Sequence, residues 1–156
     1  MAKVVASIIS TLGSYFERGI PVVAYNAPYD FTILRQHAED FGIAWPENPS
    51  PILDPLVLDK KLVQFRKGKR RLEIVAGYYN VKLDDAHNAT ADAIAAGHVA
   101  QAMAAKFPAE LDVPLAELHA SQVAWSREQD ESFAKFMRGI NPDFQPTFGW
   151  PEKPRA

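Results

Sequence analysis

Apolar residues fall at helical spacing from the start of the chain: Val4, Val5, Ile8, Ile9, Leu12, Tyr15 and Phe16. Gly19 follows as a C-terminal stop and Pro21 bars continuation, which predicts an opening amphipathic helix. Pro21 to Tyr25 reads as a short buried strand, and Asn26-Ala27-Pro28 as a turn. Asp30 to Phe41 reads as a helix ending at Gly42, with Phe31, Ile33, Leu34, His37 and Phe41 as candidates for its inner faces. Pro46, Pro49 and Pro51 mark a loop before a second short strand at Ile52-Leu53-Asp54. Leu56 to Phe65 is predicted helical, residues 66–71 form a basic turn, and Leu72 to Tyr79 is a further short helix. Asn88 to Lys106 is a long alanine-rich helix, whose alanines favour the helix and permit close packing. After Phe107-Pro108 a second long helix runs from Pro114 to about Arg138, with Leu115, Leu118, Val123, Trp125, Phe133, Phe136 and Met137 as packing positions. The tail from Asn141 holds four of the twelve prolines and is expected to be extended. There is no internal repeat.

Strand, helix, strand and then helices is an α/β pattern, here helix-rich. Only two strands are convincing, and a two-stranded unit is marginal alone, so the architecture reads as incomplete at its N-terminal end. The 156 residues are 47% hydrophobic and 23% charged, which fits a globular chain with a core. Net charge is −2, so the molecule as a whole does not attract nucleic acid, and phosphate binding has to come from local charge or from metal. The absence of cysteine excludes disulfides and cysteine-ligated zinc and fits a cytoplasmic protein. The first ten residues are too short and too serine-broken for a signal peptide, and no apolar run reaches membrane-spanning length.

Candidate chemistry concentrates in two frames. In Val22-Val23-Ala24-Tyr25-Asn26-Ala27-Pro28-Tyr29-Asp30, the acid lies where a turn meets a helix. The plain account is a first-turn acid that complements the helix N-terminus. The functional account is a metal-ligand carboxylate at the C-terminal edge of a strand, where open α/β sheets place their sites, with Asn26 beside it. In Asp85-Ala86-His87-Asn88-Ala89-Thr90-Ala91-Asp92-Ala93, a histidine precedes an acid by five residues. Either residue alone is ordinary. Together they can face one cleft, the carboxylate on a metal and the neutral histidine accepting a proton from water.

Tyr25-Asn26-Ala27-Pro28-Tyr29-Asp30 resembles the second motif of the DEDDh 3′→5′ exonucleases, and Ala86-His87-Asn88-Ala89-Thr90-Ala91-Asp92-Ala93 resembles their third. The family includes the proofreading epsilon subunit of DNA polymerase III. Residues 52–59 and 69–73 also look like family connectors, and the resemblance spans roughly residues 4 to 107, reaching into 118–125. It implies a ribonuclease H-like exonuclease fold in residues 1–110, with 111–156 as a helical extension and proline-rich tail. It also implies Asp30 and Asp92 as ligands of a two-ion Mg²⁺ or Mn²⁺ site, His87 as general base, and Asn26 and Tyr29 as shapers of the terminal-nucleotide pocket. The implied partners are a single-stranded 3′ end of DNA or RNA and a DNA polymerase, without a membrane.

The family's first motif, Asp-x-Glu on an opening antiparallel strand, has no counterpart here. Glu17 lies inside the first helix, and Glu39-Asp40 lies at the far end of another without the spacer. The fold is therefore expected to be N-terminally truncated, its opening strands missing, and this chain alone to be inactive or weak. An open strand edge is expected to recruit a second copy or a chain that supplies the missing strands. The alternative is a non-catalytic nucleic-acid-binding or polymerase-associated module. The basic turn at 66–71, five of whose six residues are cationic, is read first as a solvated loop and second as a phosphate contact.

Overall fold

The computed structural model describes residues 1–155. Seven helices and two strands follow in the order α1 (Ala2–Glu17), β1 (Val22–Val23), α2 (Ala27–Asp40), β2 (Ile52–Leu53), α3 (Pro55–Leu62), α4 (Leu72–Tyr78), α5 (Ala89–Lys106), α6 (Pro108–Leu111) and α7 (Leu115–Arg138). The chain is a helix-rich α/β protein, as its pattern predicts. No helix among the described residues is long and apolar enough to cross a membrane.

The two strands pair in parallel, Val22 with Ile52 and Val23 with Leu53. Each is only two residues long because proline precedes it (Pro21, Pro51) and a helix begins within a few residues of its end. The elements differ from the sequence expectation in several places: β1 covers only Val22–Val23 of the expected 21–25, and α3 ends at Leu62 rather than Phe65. Helix α2 begins at Ala27 rather than Asp30, because Pro28 falls in the first turn, where its missing N–H is no loss. Asp54 leaves the strand and becomes the N-cap of α3, accepting from the Leu56 N–H at 3.0 Å. The short helix α6 had no sequence signal beyond Pro108.

Three apolar clusters hold the elements. Val5 and Ile9 of α1 pack on Ala38 of α2. Ala27, Phe31, Ile52, Val57 and Trp150 form a second cluster, which places Phe31 in the core and draws the tail onto the strands. Leu58, Val75, Ala76, Val99, Met103 and Leu118 form the third, in which α7 shares a core with α3, α4 and α5. The tail carries no helix or strand, as expected of its prolines, yet it is anchored by the buried Trp150.

The two edges of the sheet have different fates. On the outer side of β2, the Ile52 N–H donates to His119 Nδ1 (3.0 Å), Gln122 Nε2 donates to the Ile52 carbonyl (2.9 Å), and the Asp54 N–H donates to Gln122 Oε1 (2.7 Å). Side chains of α7 thus occupy the groups that a further strand would need. On β1, Val22 and Ala24 donate to Pro51 and Leu53 carbonyls (both 3.0 Å), so the N–H and C=O of Val23 point the other way. That edge has no strand beside it among the described residues.

The seal over β2 is sensitive to protonation. Burial pushes the pKa of His119 down, and Nδ1 accepts from Ile52 only while unprotonated. The unfolded chain binds this proton more readily than the folded one, so the stabilisation is complete above the unfolded value of about 6.5 and is lost as pH falls toward the lower folded value. Thermal unfolding is expected to shift to lower temperature between pH 7 and pH 5. His119→Asn, whose amide oxygen can accept in place of Nδ1, is expected to flatten that dependence; an unchanged slope in the variant would show that His119 is not the group responsible.

Candidate active site

Helices α1, α2 and α5, the first residue of α4 and the open edge of β1 enclose a groove of about 710 Å³. Its walls are apolar: Ile8 and Leu12 from α1, Phe31 and Leu34 from α2, and Ala89, Ala93 and Ala96 from α5. Two carboxylates line it, Asp30 and Asp92. Both stand in the first turn of a helix. The plain account of each as a dipole-compatible acid is therefore correct, and the fold adds that the two helix N-termini converge on one groove.

Each helix start is fixed by a neighbouring side chain. Asn88 caps α5, its Oδ1 accepting from Thr90 and Ala91 N–H groups at 3.0 and 3.2 Å. Asn26 precedes α2 in a left-handed conformation (φ 63°) and makes no side-chain cap. The buried Asp54 carboxylate does that work across the chain, accepting from the N–H groups of Asn26 and Ala27, both at 2.9 Å. It also accepts from Leu56 (3.0 Å) and from Trp150 Nε1 (3.0 Å). Burial pushes the pKa of Asp54 up while its four donors oppose that shift. Desolvation also raises the pKa of Asp30, with the Asp54 charge adding to it.

The other candidates lie elsewhere. His87 is exposed on the loop before α5, with a left-handed backbone (φ 76°), and is not on the groove wall. Asn26 faces a small cavity of about 70 Å³ beside Asp54 and Trp150. Tyr29 is 66% exposed and also outside the groove. Sequence reasoning overlooked Tyr25, which lines the groove and donates its hydroxyl to the Arg70 carbonyl. Burial first, then the charges of Asp59 and Asp54, push its pKa up. Asp54 was overlooked as well; the Asp54-Pro55 pair, a capping residue followed by proline at the first helical position, was the available signal.

The basic turn is only partly a solvated loop. Arg66 and Arg70 fold inward onto the fully buried Asp59, the Arg70 contact measuring 2.5 Å. Arg70 also donates to the Val63 and Gln64 carbonyls (2.7 and 3.2 Å), capping the end of α3. Lys67, Lys69 and Arg71 remain exposed.

A family model described as exonuclease matches residues 3–100. That stretch runs from α1 into α5 and contains both groove carboxylates and His87. The chain belongs to the exonuclease family. No curated protein and no solved structure matches the chain. Exonucleases of this family typically use divalent metals, and the donor set can be tested for fit. Magnesium keeps a near-octahedral oxygen shell and loses its waters reluctantly. Among the described residues no group of three or more His, Asp or Glu side chains is placed to hold an ion. The groove of this exonuclease-family chain offers two carboxylates against apolar walls, which does not make a complete metal site.

Proposed function

We propose that this chain is a 3′→5′ exonuclease component, similar in role to a polymerase III epsilon subunit, whose groove holds half of the acidic site. The carrying observation is the convergence of Asp30 and Asp92, from separate motifs, on one groove beside an open strand edge. In this reading Asp30 and Asp92 contribute to binding Mg²⁺ or Mn²⁺. His87 acts as general base from the loop that leads into α5, and Asn26 and Tyr29 flank the terminal nucleotide. The exposure of His87 and Tyr29 means that both have to turn toward a bound strand.

The site requires further carboxylates, and the groove supports a source for them. It has the attributes of a strand seat: an open backbone edge at Val23, apolar walls, and acids nearby. We infer that an extended segment supplied from outside residues 1–156 lies along β1 and brings the missing acids, within a ribonuclease H-like sheet.

The test is the product pattern on a 5′-labelled single strand with Mg²⁺ or Mn²⁺. Slow shortening by one nucleotide at a time from the 3′ end is expected, lost in Asp30→Asn and in Asp92→Asn. Internal cleavage, or a ladder unaffected by either change, would sink the assignment. Rapid hydrolysis by the chain alone, abolished by His87→Ala, would overturn the claim that the site is incomplete.

A further inference from the structure

The strongest concentration of positive charge lies outside the groove. Residues 60–71 carry seven of the chain's seventeen lysines and arginines and no acid. Arg66 and Arg70 are consumed by Asp59, Lys61 pairs with Glu128 (3.4 Å) and Arg71 with Glu73 (3.3 Å). Lys67 and Lys69 are exposed on either side of Gly68, and neither has an ion-pair partner among the described residues. The positive φ of Gly68 (103°) suits a reversal that a side chain would strain.

Aromatic rings are exposed in the same stretch of chain and on α7. Phe65, next to the turn, is 88% exposed, the most exposed large apolar side chain of the molecule among the described residues. A second groove, of about 430 Å³, is lined by Lys60, Lys61 and Arg70, by the carboxylate of Glu128, and by Phe133 and Phe136 of α7. Both phenylalanines are exposed. An exposed aromatic ring two residues along the chain from an unpaired lysine, on a chain of net charge −2, calls for a ligand with flat apolar faces and repeated negative charge. A single-stranded nucleic acid has both, since bases stack on rings and phosphates pair with ammonium groups. An acidic peptide satisfies the cations and leaves the rings in water. The surface also adjoins the candidate active site: Tyr25 of the first groove donates to the Arg70 carbonyl, and Leu72, just past the turn, lines that groove.

We propose that Phe65, Lys67 and Lys69 form a holding site for single-stranded nucleic acid, separate from the groove that contains Asp30 and Asp92. The site grips the strand away from the reacting end, and it rests on the exonuclease reading for the choice of ligand. Two phosphates pair with Lys67 and Lys69, and a base stacks on Phe65.

The experiment is fluorescence anisotropy with a labelled oligothymidylate of about 20 nucleotides in EDTA, so that no hydrolysis enters. The double change Lys67→Glu, Lys69→Glu is expected to weaken binding by about 10- to 100-fold and to lower the log–log salt slope by about 1.4. Phe65→Ala is expected to weaken it by about 5- to 30-fold. The same charge change elsewhere, Lys3→Glu with Lys82→Glu, is expected to have an effect of less than about threefold. Circular dichroism of each variant guards against misfolding. Oligouridylate in place of oligothymidylate separates RNA from DNA, and weakened binding of either supports the site. No binding by the unmodified chain, equal weakening by the distant pair, or an unaltered Phe65→Ala would each overturn it. Turn variants that bind normally while Asp30→Asn and Asp92→Asn abolish turnover would overturn the holding site and leave the exonuclease assignment standing.

Discussion

Supplying an apolar strand that carries Asp-x-Glu, fused ahead of α1 through a flexible linker, is expected to raise 3′-end hydrolysis by at least about 100-fold over the chain alone. The expectation follows from what the sheet can accept. Growth beyond β2 is blocked, because His119 and Gln122 already occupy its outer backbone groups. The edge of β1 is open at Val23 and faces the groove. A strand seated there meets Ile8, Leu12, Phe31 and Leu34 together with the alanines of α5, which bury its apolar side chains. Two added carboxylates beside Asp30 and Asp92 bring the oxygen donors near the number that a divalent ion needs, where the present pair leaves most of the shell to water. The gain is read as the rate of 3′ nucleotide release in Mg²⁺. It is expected to vanish when the fused acids are changed to asparagine and glutamine. An equal rate in that control would sink the idea, since the strand would then act only as packing.

Much of this was legible from local signals. Periodicity located α1, α5 and α7, and the two motif frames located Asp30 and Asp92, because both acids follow helix-start residues whose effect is local. The start of α2 was misplaced by three residues because Pro28 read as a breaker, whereas a proline in a first helical turn is compatible with the helix. Other features depend on partners far away in the chain. Asp54 and Trp150 are 96 residues apart, and Gln122 reaches Ile52 across 70. No window of local sequence contains both members of either pair. Arg66 and Arg70 belonged to a run that reads as surface, and only the buried Asp59 of α3 turns them inward. The same limit applies to the candidate site. Its acids were visible, and the apolar character of the groove between them was not, because its lining comes from four helices and a strand.

Replacing Asp54 by alanine is expected to cost about 4 kcal/mol of folding stability, the largest loss from any single truncation proposed for this chain. One carboxylate accepts four N–H groups: two at the start of α2, one at the start of α3, and the indole of Trp150. Alanine leaves all four without their acceptor, and those of Ala27 and Trp150 belong to buried residues that water reaches poorly. An orphaned buried donor costs about 1–3 kcal/mol, and partial solvation of the Asn26 and Leu56 amides keeps the sum below four such penalties. Asp54→Asn keeps one oxygen acceptor but turns an amide N–H₂ toward donors, and is expected to cost about half as much. The loss should extend beyond stability. The same carboxylate holds the turn at Asn26, whose left-handed backbone orients the first turn of α2 and with it Asp30. Urea unfolding monitored by tryptophan fluorescence checks the magnitude, and release of Trp150 makes the signal change large. A loss below about 1 kcal/mol in Asp54→Ala would mean that water replaces the carboxylate at all four donors, and that α2 keeps its start without Asp54.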